Sequence, residues 1–133
     1  METFNLEFNE SNNVYVDPTI EGAYSDFKAY LEKNKDNLPT AFFALNDIIA
    51  LGALKAMNEK GISVPNDISL VGFDDVPFSS YSNPGVTTVK VHTKTMGKTA
   101  VRRLMEAIEN DIEVALKIEI NTELIERESV KNL

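Results

Sequence analysis

Ser69-Leu70-Val71-Gly72-Phe73-Asp74-Asp75-Val76-Pro77 is the stretch on which the fold of this chain turns. β-favouring residues run into a glycine, an aromatic and two adjacent carboxylates. That pattern predicts a buried parallel strand whose carboxyl end opens into a polar loop. In open α/β sheets ligands bind just beyond the carboxyl ends of the strands, so Asp74 and Asp75 stand where a ligand is read. The plainer alternative is that both carboxylates cap a turn. A second strand sharpens the first view: Ala41-Phe42-Phe43-Ala44-Leu45 ends in Asn46-Asp47 and leads into a helix. An amide and a carboxylate delivered to one sheet edge form a hydrogen-bonding set suited to a polyol.

Outward from these strands, helix and strand alternate, which predicts an α/β fold with a Rossmann-like parallel sheet flanked by helices. Asn13-Val14-Tyr15-Val16 reads as a short strand halted by Asp17-Pro18-Thr19. Thr19 is placed to cap a helix carrying Tyr24, Phe27, Tyr30 and Leu31 at helical spacing, ended by the polar run Glu32 to Asn37. Asp47 reads as the cap of the next helix, with Ile48, Leu51, Leu54 and Met57 on one side. Gly61 ends that helix in a left-handed conformation after Lys60. A loop over 74–85 leads to a strand over 86–91. A helix from about Thr95 to Asn110 shows Gly97, Ala100, Val101, Leu104 and Ile108 on one face. Lys117 to Ile120 and Glu123 to Ile125 then close the chain as one interrupted strand or two short ones. The first dozen residues are polar and asparagine-rich, and poor order is expected there.

The chain has 133 residues, 43% hydrophobic and 26% charged, ordinary proportions for a globular domain. With 21 acidic against 13 basic residues the formal charge is −8. Such a surface repels a polyanion, so this segment is not expected to grip DNA or RNA itself. The absence of cysteine excludes disulfides and thiolate chemistry and fits a reducing compartment. No apolar run approaches the roughly 20 residues needed to cross a bilayer. Met1-Glu2-Thr3-Phe4-Asn5 lacks the basic start and apolar stretch of a secretory signal, so a cytoplasmic location is expected.

Together these segments resemble the LacI/GalR family of bacterial transcriptional regulators. The resemblance is carried by Pro39 to Asp47, Ala50 to Leu54, Gly61 to Pro65, Asp67 to Asp75 and Thr87-Thr88-Val89. It extends more weakly through Gly97 to Leu104 and Glu126-Arg127-Glu128-Ser129. It implies that residues 1–133 form the carboxy-terminal lobe of a two-lobed effector-binding domain of the periplasmic-binding-protein-like type. The helix within 92–111 would pack in the other, amino-terminal lobe. The DNA-reading headpiece, the hinge and the first βα units have no counterpart in the matched residues.

In the resembling family the positions of Asn46 and Asp74 contact sugars or other small effectors. The other role open to Asn46 is capping the helix that follows. The family places an aromatic, stacked on a sugar ring, at the position aligned with Pro18. A proline stands there instead, with Tyr15 upstream as the candidate substitute. The helix bearing Leu51 and the loop bearing Phe78 and Tyr81 correspond to family subunit-interface elements, which implies a homodimer. The other possibility is that Leu51 and Phe78 belong to the core.

Catalysis finds little support. His92, the only histidine, follows a strand with no nucleophile motif around it. Adjacent Asp74 and Asp75 point to opposite faces of an extended chain, poorly placed to flank one bond. No metal-ligand spacing and no phosphate-binding glycine loop occurs. The expectation is a binding module without a cofactor: the effector-sensing and dimerising part of a repressor-like regulator that takes a sugar or related small molecule. It would reach DNA only through the headpiece and make no membrane contact. The rival is a sugar-binding protein of a transport system with the same fold.

Overall fold

A computed structural model describes residues 12–110 and 114–131. The expectation of poor order at the amino terminus therefore falls, apart from Asn12, outside the described residues. Strands β1 (Ala41–Phe43), β2 (Ser69–Asp74), β3 (Thr87–Lys90) and β4 (Glu123–Ile125) form one four-stranded sheet in the order β1-β2-β3-β4. β1, β2 and β3 run parallel, and β4 returns antiparallel to β3. The sheet is thus mostly parallel with helical connections, as its sequence predicts.

Helix α1 (Ile20–Lys33) begins at Thr19, whose hydroxyl accepts the Gly22 N–H at 3.1 Å. It buries Ala23, Phe27 and Leu31, positions spaced by four. Helix α2 (Asp47–Glu59) ends where Gly61 takes a left-handed φ of 72°, which a residue without Cβ adopts at no steric cost. The two helices pack against each other so closely that a Cβ on Gly52 would stand 2.7 Å from the Ile20 carbonyl oxygen. Tyr24 and Lys28 of α1 both bond Glu59 of α2, at 2.6 and 2.8 Å.

The core lies between these helices and one face of the sheet, and joins Phe27, Leu31, Leu54, Met57, Ile68, Leu70 and Val86. Phe42 sits edge-on to Phe27 at 5.0 Å. Each large side chain buried here stabilises the fold by roughly 1.5–3 kcal/mol. The opposite face behaves differently: Phe43 stacks only edge-on to Phe73, at 6.5 Å, and remains 59% exposed. α1 and α2 therefore cover the same face of the sheet.

Four further elements depart from expectation. Asn13–Val16 alternates like a strand, with Val14 and Val16 packed on the core and Tyr15 exposed, but joins no ladder. Lys117–Ile120 likewise forms no strand; of the two closing segments only the second pairs, because β3 offers a single free edge. The loop after β2 contains a one-turn helix, α3 (Phe78–Tyr81). Helix α4 (Thr93–Glu109) starts two residues earlier than its pattern indicated and buries none of its residues.

Candidate functional site

The carboxyl ends of β1 and β2 lie side by side, with Phe43 paired to Val71. Three residues beyond each partner come Asn46 and Asp74, so the register brings the two candidate contacts to neighbouring positions on one edge. The Asn46 side chain accepts the Ile49 N–H at 2.8 Å and is itself the cap of α2. Asp47, which the sequence presented as that cap, lies one residue inside the helix and has another task. The cap uses one carbonyl lone pair of Asn46 and leaves its amide N–H groups for a ligand.

Asp74 is exposed at the last position of β2, with a φ of 106°; Asp75 follows at 56°. Left-handed backbone at two successive non-glycine residues is a strain that persists only where the surroundings over-determine it, and it clusters at ligand sites. The surroundings are visible. Asp47 is fully buried, and its carboxylate accepts the Val76 N–H at 2.9 Å, the Ser79 hydroxyl at 2.7 Å and the Thr88 hydroxyl at 2.6 Å. Gly72 leaves the space this carboxylate needs, since a Cβ there would collide with Asp47 Oδ1. Asp75 does not take the turn-capping role that was the plainer alternative for it. It pairs with Arg127 at 2.5 Å and stands 3.9 Å from Lys90. Arg127 also donates to the Val86 carbonyl oxygen at 2.7 Å. The loop carrying Asp74 is therefore held from both sides, and Asp74 alone among the three carboxylates is left facing solvent.

Pro18 and Tyr15 are both exposed, Tyr15 at 88%. Pro18 precedes the amino end of α1, which packs beside the amino half of α2 at Gly52, so it lies at the same end of the layer as Asn46. Tyr15 instead lines a cleft of about 540 Å³ with Val14, Val16, Phe42, Phe43 and Leu45. Asp17, between them, accepts the Thr19 N–H and hydroxyl at 2.9 and 2.6 Å. The Thr19 hydroxyl, then its N–H, holds the Asp17 carboxyl below the usual carboxylate range. Of the interface candidates, Phe78 is 69% and Tyr81 86% exposed on α3, whereas Leu51 is half-buried on α2. Phe78 lies outside the core, whereas Leu51 packs partly buried against it. His92 is half-buried at the start of α4, where its side chain makes no cap.

Sequence reasoning missed Asp47 as a hub, Arg127 as the clamp on Asp75, and Ser129. Ser129 is fully buried: its hydroxyl donates to the Leu70 carbonyl oxygen at 2.5 Å and accepts the Thr87 N–H at 2.8 Å, bridging β2 and β3. Partners so far apart in sequence leave no local signal. Among the described residues no group of His, Asp or Glu side chains is arranged to hold a metal ion, and no helix is long and apolar enough to cross a membrane.

A family model described as a periplasmic binding protein-like domain matches residues 2–130. The HTH-type transcriptional regulator MalR of Clostridium butyricum is 45% identical over 130 residues, 92% of this chain and 38% of that protein. The HTH-type transcriptional repressor PurR of Pasteurella multocida is 38% identical over 136 residues, 98% of this chain and 41% of that protein. The chain thus spans about two fifths of the length of these relatives. Among solved structures, a complex of the transcriptional regulator CelR with cellobiose superposes with a TM-score of 0.86 at 28% identity, covering 96% of this chain and 38% of that one. A LacI family transcriptional regulator from Enterococcus faecium with bound ribose gives 0.78 at 27% identity, covering 90% and 43%.

Proposed function

Since the chain belongs to the LacI family of transcriptional regulators, within their periplasmic binding protein-like domain, we propose that it is the effector-sensing and dimerising portion of such a regulator. The observation that carries the proposal is that Asn46 and Asp74 stand at the carboxyl ends of two paired strands, with Asp74 held in strained backbone and facing solvent. An amide that donates beside a carboxylate that accepts fixes a pair of vicinal hydroxyls with directional, charge-assisted bonds. The effector is a sugar or related polyol, in keeping with the cellobiose and ribose in the two structural neighbours. Pro18, at the same end of the layer as Asn46, stands where the ring of the ligand would rest; Tyr15 lies in the neighbouring cleft.

Subunit association uses Leu51, half-buried on α2, together with Phe78 and Tyr81, large apolar groups exposed on α3. Contact with DNA belongs to a headpiece outside this chain, since a surface of formal charge −8 does not attract a polyanion. Catalysis has no part in this role.

The test is an amide-shift titration with cellobiose, ribose and lactose at tens of millimolar. One of these sugars is expected to move the resonances of Asn46 and Asp74, and Asp74→Ala is expected to abolish the movement. Shifts confined to other surfaces, or none with any sugar, overturn the assignment.

A further inference from the structure

Asn46 and Asp74 stand at the carboxyl ends of β1 and β2, and the next parallel strand, β3, ends in Lys90. Lys90 pairs in register with Asp74. Asn46 lies three residues beyond Phe43, whose partner is Val71, so Asn46, Asp74 and Lys90 are level on three consecutive strands. The Lys90 side chain keeps 43% of its surface exposed. Its ammonium stands 3.9 Å from Asp75 Oδ2, beyond hydrogen-bonding distance, while Arg127 donates to the other oxygen of that carboxylate at 2.5 Å. Glu123, the register partner of Lys90 on β4, is exposed and makes no ion pair with it. Among the described residues the Lys90 ammonium thus donates no hydrogen bond, and the exposed Asp74 carboxylate accepts none.

The row reads donor, acceptor, donor. Asn46 offers its amide N–H groups, because its carbonyl oxygen holds the α2 cap; Asp74 accepts, and Lys90 donates. Neighbouring strands lie about 4.8 Å apart, so the row spans about 10 Å. One sugar ring is about as wide as one strand spacing and meets two members of the row at a time. Two linked rings reach the third.

We propose that Lys90 is a third effector-contact residue and that it selects disaccharides over single sugars. The inference rests on the effector assignment above and adds to it the length of the ligand. The first ring takes Asn46 and Asp74 through vicinal hydroxyls. The second lies beyond Asp74 and presents a hydroxyl or ring oxygen to the Lys90 ammonium, a charge-assisted bond that displaces no existing one. The pairing of Arg127 with Asp75 is what leaves Lys90 available for it. The alternative is a structural Lys90, third member of the Asp75–Arg127 ion pair and without contact to ligand.

Side-chain and amide resonances of the full chain, followed while cellobiose, lactose, glucose and galactose are titrated in turn, provide the test. A single sugar that binds should move Asn46 and Asp74 and leave the Lys90 side chain unmoved. At least one disaccharide should move all three and bind more tightly than its component sugars. Lys90→Met should weaken that disaccharide about fivefold or more, leave the single sugars unchanged, and keep the urea midpoint of the chain. Lys90→Arg, which retains a charged donor, should restore most of the preference. The proposal is overturned if disaccharides leave Lys90 unmoved, or if Lys90→Met weakens single and double sugars alike. It is equally overturned if Lys90→Met lowers the urea midpoint and leaves disaccharide affinity as it was. Shifts at Asn46 and Asp74 in which Lys90 plays no part leave the effector assignment intact, whereas no movement there with any sugar removes both.

Discussion

Asp47 shows how a single buried charge organises the candidate site. With three donors converging on its carboxylate, the desolvation of the ion is offset by bonds from a backbone amide and two hydroxyls. Asp47→Ala would leave those donors buried and unpaired at about 1–3 kcal/mol each. We therefore expect a drop in unfolding free energy of about 3 kcal/mol or more, read as a lower urea midpoint, with the loop at Asp74 losing its amide protection. A midpoint unchanged by the substitution would show that water replaces the carboxylate. Gly72→Ala should do comparable damage, because its Cβ competes for the same space. The neighbouring Asn46 and Asp47 illustrate where sequence stops being informative. Both residue types cap helices well, so pattern alone fixes the helix start only to within a residue. What separates them is that Thr88 and Ser79, 41 and 32 positions away, converge on Asp47, and no local pattern encodes that.

Elements were legible where local chemistry decides them. Thr19 and Gly61 mark a helix start and a helix end through their own backbone preferences, and both do so here. The β2 strand and its polar exit were equally readable. Asn13–Val16 and Lys117–Ile120 were not, because alternation states that a segment can be a strand, while a ladder also needs a neighbour. The α1–α2 contact carries its own pH signature. Glu59 and Glu32 are held below the usual carboxylate range, first by their hydrogen bonds from Lys28 and Lys60 respectively. Their folded values lie under the unfolded one, so this stabilisation is complete above about pH 4.5 and is lost as pH falls through the lower folded values. Lys28 is shifted upward by its bond to Glu59, so its share is complete at neutral pH and lost only at strongly alkaline pH. Urea midpoints should thus be level near neutrality and decline under acid. Lys28→Met should flatten the decline, and a decline of the same size in that variant would place its cause elsewhere.

α4 makes a contrasting case. Val101, Leu104 and Ile108 are 62%, 60% and 70% exposed. The sequence separates them as a coherent apolar face and leaves their partner unnamed. Substituting Leu104 and Ile108 by lysine should leave the urea midpoint within about 0.5 kcal/mol, since nothing buried is disturbed. The same pair should lower self-association in sedimentation. A clear loss of stability would mean that α4 packs within its own chain.

At the scale of the whole molecule, the proposed effector site would be half of a clamp. If ligands are gripped between two lobes, this chain supplies part of the polar contacts, and each missing bond weakens binding by roughly 1 kcal/mol or more. No sugar should bind the isolated chain more tightly than millimolar, and a calorimetric titration giving micromolar affinity would remove that idea. Assembly is separable from ligand. Leu51→Asp and Tyr81→Asp should each weaken a two-fold dimer, and a chain monomeric at high micromolar concentration whatever these residues are would refute it.

The bond from Ser129 to Leu70 also has a meaning in time. It closes the seam between β2 and β3 with a residue 59 positions downstream of the strand it locks. At synthesis rates of roughly 5–20 residues per second, β2 leaves the ribosome about 3–12 seconds before its bolt is made. For those seconds the N–H and C=O of Leu70 wait for the Ser129 groups that meet them in the finished fold. How long that seam stays open on a nascent chain is thus set by the clock of translation rather than by the strength of the finished fold.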